Sequence, residues 1–148
     1  YHRFHEVISA GQEDASDKLR QYILFEQEMA ERFGNGNNHV DKLAYAMEEH
    51  QDSILQKTLQ AIISLRYNLL HSIISEGIKN NEFKPLDPSM ASFSLLGAIS
   101  VFLSYKYGLM SDSEISGIAR KDATQQSDQK WRSEDFFDWI LGGLSSSS

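Results

Sequence analysis

Apolar positions along this chain recur at steps of three and four, the spacing that lines one face of a helix. Between Asp52 and Asn80, Ile54, Leu55, Leu59, Ile62, Ile63, Leu65, Leu69, Leu70, Ile73, Ile74 and Ile78 make a wide stripe. At 1.5 Å per residue that stretch predicts one unbroken helix of about 40 Å. The pattern breaks at Asn80-Asn81-Glu82-Phe83-Lys84-Pro85-Leu86. Asp87-Pro88 then predicts a fresh start, with Asp87 as N-cap and Pro88 at the first helical position. From Met90 to Leu109 the chain is apolar almost all the way round, with Phe93, Leu95, Leu96, Ile99, Val101, Phe102, Leu103, Tyr105 and Tyr107. A helix of that kind has to be covered on every side, which in so short a chain points to a second subunit.

Weaker stripes flank this pair. Tyr1 to Ala10 carries Phe4, Val7 and Ile8 and reads as the end of a helix stopped by Gly11. Ser16 or Asp17 is expected to cap a second helix through Leu19, Tyr22, Ile23, Met29, Ala30 and Phe33, ending in Gly34-Asn35-Gly36-Asn37-Asn38. A shorter helix is predicted from about His39 to Gln51, striped by Val40, Leu43, Ala44 and Met47. Residues 111–132 are polar and predict a loop, with a short helix near Ser113 to Arg120. Ser133 is expected to cap a last helix through Phe136, Phe137, Ile140, Leu141 and Leu144, with Ser145 to Ser148 a solvated tail. No stretch shows sustained period-two alternation. The expectation is a single all-α domain over residues 1–148, an antiparallel bundle of about five to six helices.

Composition narrows the function more than the fold. The 148 residues are 41% hydrophobic, enough for a packed core. Ser92, Ser94, Ser100, Ser104 and Lys106 interrupt the greasiest run, so no membrane span is expected. The chain has no cysteine, which excludes thiolate metal sites and cysteine nucleophiles. It opens on Tyr1 with no secretory pattern, and more chain is expected upstream. A net charge of −7 argues against direct nucleic-acid binding, which needs clustered Lys and Arg.

Chemistry is sparse. None of the five histidines has an acid three residues earlier, so a carboxylate-bridged di-iron site is disfavoured. His2 and His5 could in principle hold zinc with Glu6, but two exposed histidines at a frayed helix end are expected, since zinc wants three or four ligands. No phosphate loop, nucleophile elbow or zincin motif occurs, and neither an enzyme nor a cofactor is expected. A small helical enzyme using His50 and His71 is the weakest alternative. Polar and aromatic side chains set into apolar helices are the remaining signal. Arg66, Tyr67 and His71 can be ordinary rim residues, or the convergent polar groups of a mostly apolar pocket whose walls include Met29, Phe33, Met47, His50, Ile63 and Phe102. For a dimer, Gly97, Ser100 and Ser104 make a small-residue stripe beside Phe93 and Leu96. Phe136, Phe137 and Ile140 are its bulky complement.

The segment Ile73-Ile74-Ser75-Glu76-Gly77-Ile78-Lys79-Asn80-Asn81-Glu82-Phe83-Lys84-Pro85-Leu86-Asp87-Pro88, followed by Ala91, Leu95, Leu96 and Gly97, resembles the regulatory domain of TetR-family transcriptional repressors. Asp17-Lys18-Leu19-Arg20-Gln21-Tyr22-Ile23 also looks like the start of the family's first ligand-domain helix. The chain departs from the pattern at Asn81, where the family usually has Gly, and in its long 111–132 loop. The resemblance implies a cytoplasmic homodimer that binds a small-molecule effector. It reaches operator DNA through an N-terminal helix-turn-helix not contained in this chain, and residues 1–10 end the linking helix. The alternative is a helical protein–protein interaction module without a small-molecule ligand.

Overall fold

The computed structural model describes residues 2–34, 53–106 and 132–146, which form five helices: α1 (His2–Ala10), α2 (Ala15–Gly34), α3 (Ser53–Lys79), α4 (Pro88–Lys106) and α5 (Ser133–Leu144). The expected helix over 39–51, Met47, His50 and the 111–131 stretch lie outside the described residues, as do the side chains of Phe33 and Ser104. The all-α expectation holds, and the described helices alternate in direction. Lys18 meets Glu76 and Glu26 meets Arg66, so α2 runs against α3. Arg66 reaches Ser100, and Phe102 stacks on Phe136, so α4 runs against both α3 and α5.

The long stripe of α3 becomes the core. Leu69, Leu70, Ile73 and Ile74 are fully buried against Leu19, Tyr22 and Ile23 of α2 and Ile99 of α4. At about 25 cal/mol per Å² of apolar surface, each large side chain so buried contributes about 1.5–3 kcal/mol. Phe4 of α1 stacks on Phe25 of α2 with ring centroids 4.1 Å apart, and Ile8 joins the same core. That lays the first helix along the second.

The α3–α4 break is a built turn. The Gly77 carbonyl accepts from the backbone N–H groups of Glu82 (2.9 Å) and Phe83 (3.0 Å). Asn81 takes the left-handed conformation at φ 60, which asparagine tolerates better than most residues. Phe83 lies over Gly77, where any Cβ would strike its ring. As predicted, Asp87 caps α4, its Oδ1 accepting from Met90 N at 2.7 Å, and Pro88 opens the helix.

Three terminal features differ from expectation. Helix α2 starts at Ala15, ahead of Ser16 and Asp17, because the Glu82 carboxylate in the α3–α4 turn accepts the Ala15 N–H at 3.1 Å. A cap supplied from 67 positions away leaves no local trace. Ser133 lies inside α5, and Arg132 is the N-cap without a side-chain bond. Ser145 and Ser146, expected to be solvated tail, are paired with the turn. Ser145 bridges Phe83, Lys84 N donates to Leu144 O at 2.7 Å, and Ser146 N donates to Glu82 O at 3.0 Å.

Candidate functional site

Two features stand out from the packed core. The first is a polar network in the middle of the bundle. Glu26 occupies a stripe position on α2, one turn beyond Tyr22 and one turn before Ala30. Its Oε1 accepts from the Tyr22 hydroxyl and from Arg66 Nε, both at 2.7 Å. Arg66 Nη2 also donates to Ser100 Oγ at 3.1 Å, and that hydroxyl donates in turn to the Leu96 carbonyl at 2.8 Å. Three helices are thereby joined through one guanidinium.

Electrostatics reinforce the arrangement. Burial, then the neighbouring Glu26 carboxylate, pushes the Tyr22 phenol far above its ordinary range, so it stays a neutral donor. Burial works against the Arg66 charge, but Glu26 and Tyr22 outweigh it and the guanidinium is held still more firmly protonated. The pair is desolvated and complete, the condition under which a buried ion pair is tolerated.

The second feature is the outer face of α4. Met90, Phe93 and Val101 are 59%, 63% and 51% exposed, and Ser94 and Gly97 lie exposed between them. Beside this face, α4 and α5 enclose an apolar groove of about 340 Å³, lined by Met90, Ser94, Ala98, Trp139, Ile140 and Gly143 among others. Trp139 at its rim is 70% exposed. Neighbouring apolar surface of this kind, without charge from Met90 to Val101, marks an interaction site more often than a plain solvated face.

The expected ligand residues divide among several places. Arg66 sits in the ion pair with Glu26. Tyr67 packs on Phe93 with centroids 4.6 Å apart and lies 5.7 Å from His71, whose Nδ1 is 3.5 Å from Ser75 Oγ. Met29 is half-buried and Ile63 is 48% exposed. Phe102 stacks on Phe136 of α5 at 4.1 Å. The expected dimer residues divide too. Phe93 and Gly97 face outward, but Leu96, Phe137 and Ile140 are covered within the chain, Phe136 is half-buried on Phe102, and Ser100 is engaged by Arg66. Met90, Val101 and Trp139 form the remaining large apolar surface there.

Tyr22 and Glu26 were absent from the expected site. A signal for Glu26 existed: a carboxylate in an apolar stripe needs a buried cation. Among the described residues no group of His, Asp and Glu is arranged to hold a metal, and no helix is long and apolar enough to cross a membrane. Comparison of the chain with protein-family models, curated proteins and solved structures gives no match.

Proposed function

We propose that this chain is the effector-binding and dimerisation domain of a TetR-like transcriptional repressor. The observation that carries the reading is the uncharged outer face of α4 from Met90 to Val101, exposed beside Trp139 and the α4–α5 groove. An isologous pairing of α4 and α5 with those of a second copy covers that face and makes a four-helix interface. The order of parts supports it as well: a long helix, a tight Gly77–Phe83 turn, an Asp87-Pro88 start and an apolar helix. The net charge of −7 fits a domain whose DNA contacts belong to an upstream helix-turn-helix.

In this reading an effector binds among α2, α3 and α4, and α1 passes the change to two DNA-reading heads. A differential preference of about 1–3 kcal/mol between head spacings changes operator affinity 5- to 150-fold. The reading is of a cytoplasmic regulator without catalysis. Sedimentation velocity at micromolar concentration is the test. The expected result is a dimer that Val101→Asp converts to a monomer. A wild-type monomer overturns the reading, and a 1:1 complex with a different protein in place of the homodimer favours an interaction module.

A further inference from the structure

The α4–α5 groove has a hole and a knob side by side. Small residues line it, Ser94 and Ala98 of α4 and Gly143 of α5, next to the larger Met90, Ile140 and Leu144. A Cβ added at Gly143 would meet nothing within 4 Å, so that part of the groove is open. Trp139 stands at the rim and is too exposed to be packed into the groove itself. Its ring lies 6.3 Å from that of Phe136, one turn back along α5, while Gly143 is one turn ahead.

Both walls are uncharged. Helix α4 carries no charged side chain from Pro88 to Tyr105, and α5 carries none from Trp139 to Leu144, because Glu134, Asp135 and Asp138 all precede that stretch. The groove sits at the start of α4 and the end of α5, away from Lys106 and Arg132 at the other end of the pair. At 1.5 Å per residue, Met90 and Lys106 are about 24 Å apart.

Size and area choose the occupant. An apolar cavity of about 150 Å³ takes a benzene ring. The groove, at about 340 Å³, has room for an indole, and it is at the small end of the range of about 300–1,000 Å³ for small-molecule pockets. A small molecule held there would leave Phe93 and Val101 in water, whereas a second copy of the helix pair covers groove and face together. Trp139 and Phe93, 70% and 63% exposed, alone bring about 200–300 Å² to such a contact. That is upwards of a quarter of the roughly 800 Å² that each partner contributes to a standard interface.

We infer that in the homodimer the indole of each copy is seated in the groove of the other, with the partner's Trp139 filling the space beside Ser94, Ala98 and Gly143. A two-fold axis makes this contact twice with one kind of surface, because a knob beside a hole on one copy meets a hole beside a knob on the other. The assignment names the contact that holds the dimer, and it rests on the reading of this face as a dimer interface.

The test removes the knob and fills the hole separately in the full chain. Trp139→Ala deletes the indole, and Gly143→Leu places a side chain in the groove. Both positions are exposed, and thermal unfolding followed by circular dichroism checks that each variant keeps the fold. A hot-spot side chain is worth at least about 30-fold in affinity, and each dimer holds two such contacts. Each variant is therefore expected to weaken the homodimer by more than about 30-fold in sedimentation equilibrium. When the two variants are mixed, Trp139 of the Gly143→Leu copy can enter the open groove of the Trp139→Ala copy. One contact of the two is regained, so native mass spectrometry of isotope-labelled and unlabelled copies should show a heterodimer about 30-fold tighter than either homodimer.

A dimer that either variant leaves unchanged, or a mixture in which the heterodimer is no tighter than the homodimers, overturns the seated indole while the dimer reading stands. A wild type that stays monomeric at micromolar concentration, alone or with a different protein on this face, overturns both.

Discussion

Replacing Gly77 by alanine tests whether the α3–α4 turn is held by one close approach. In an exposed helix interior, Gly→Ala stabilises by about 1 kcal/mol through helix propensity. Here the new methyl carbon would strike Phe83 Cδ2, with Cε2 at 2.5 Å and Cγ at 2.8 Å. Phe83 is 2% exposed and its backbone is fixed by the Gly77 carbonyl and by the bridge to Ser145. The ring has little freedom to yield. Overpacking costs about 1–3 kcal/mol, and outright expulsion of a buried Phe about 3–5 kcal/mol. Subtracting the propensity gain from the overpacking cost leaves an expected net loss of up to about 2 kcal/mol. In a Phe83→Ala background the methyl no longer meets the ring, and the same change should stabilise by about 1 kcal/mol. The difference between the two backgrounds amounts to a coupling of about 1–3 kcal/mol. Urea unfolding of the four proteins, followed by circular dichroism at one fixed protein concentration, measures it. A Gly77→Ala protein more stable than wild type, or additive effects, refutes the steric argument.

Glu26→Ala strands Arg66 in the core and should cost about 3–5 kcal/mol, whereas Glu26→Met with Arg66→Met should recover most of it in the same urea assay. Because burial raises the Tyr22 phenol far above its ordinary 10.0, its contribution to stability is present below that pH and is lost as the unfolded chain ionises above it. Absorbance at alkaline pH should therefore show one of the six tyrosines ionising only as the chain unfolds, and titration of all six ahead of unfolding contradicts the burial. Glu82→Ala removes the carboxylate at the start of α2 and should cost about 1 kcal/mol, with faster amide exchange at Ala15. Unchanged exchange there would assign the cap elsewhere.

Residues that act through near neighbours were legible from the sequence. The α3 stripe, the Gly11 stop, the Asp87 cap with Pro88, and the turn at Asn81 all follow from periodicity or local stereochemistry. The candidate site was legible only in outline. Arg66 drew notice as a cation in an apolar stripe, but its partner Glu26 is 40 positions away, so although the stripe position of Glu26 signals a buried acid, nothing local joins the two.

What the chain order alone determined is therefore the five described helices and the stripe that an amphipathic one such as α3 must bury, because both depend on contacts within a turn or two. What only the tertiary structure decided is which side of an all-round apolar helix faces in. Leu96, Ile99 and Leu103 of α4 turn to the core, while Met90, Phe93 and Val101 stay outside. Hydropathy cannot distinguish these sets, since they are equally apolar. The arrangement of α2, α3 and α5 around the helix separates them. The same arrangement sets the α2 cap from Glu82 and the seat of Ser145 on Phe83, both made by chain that is remote in sequence and adjacent only once folded.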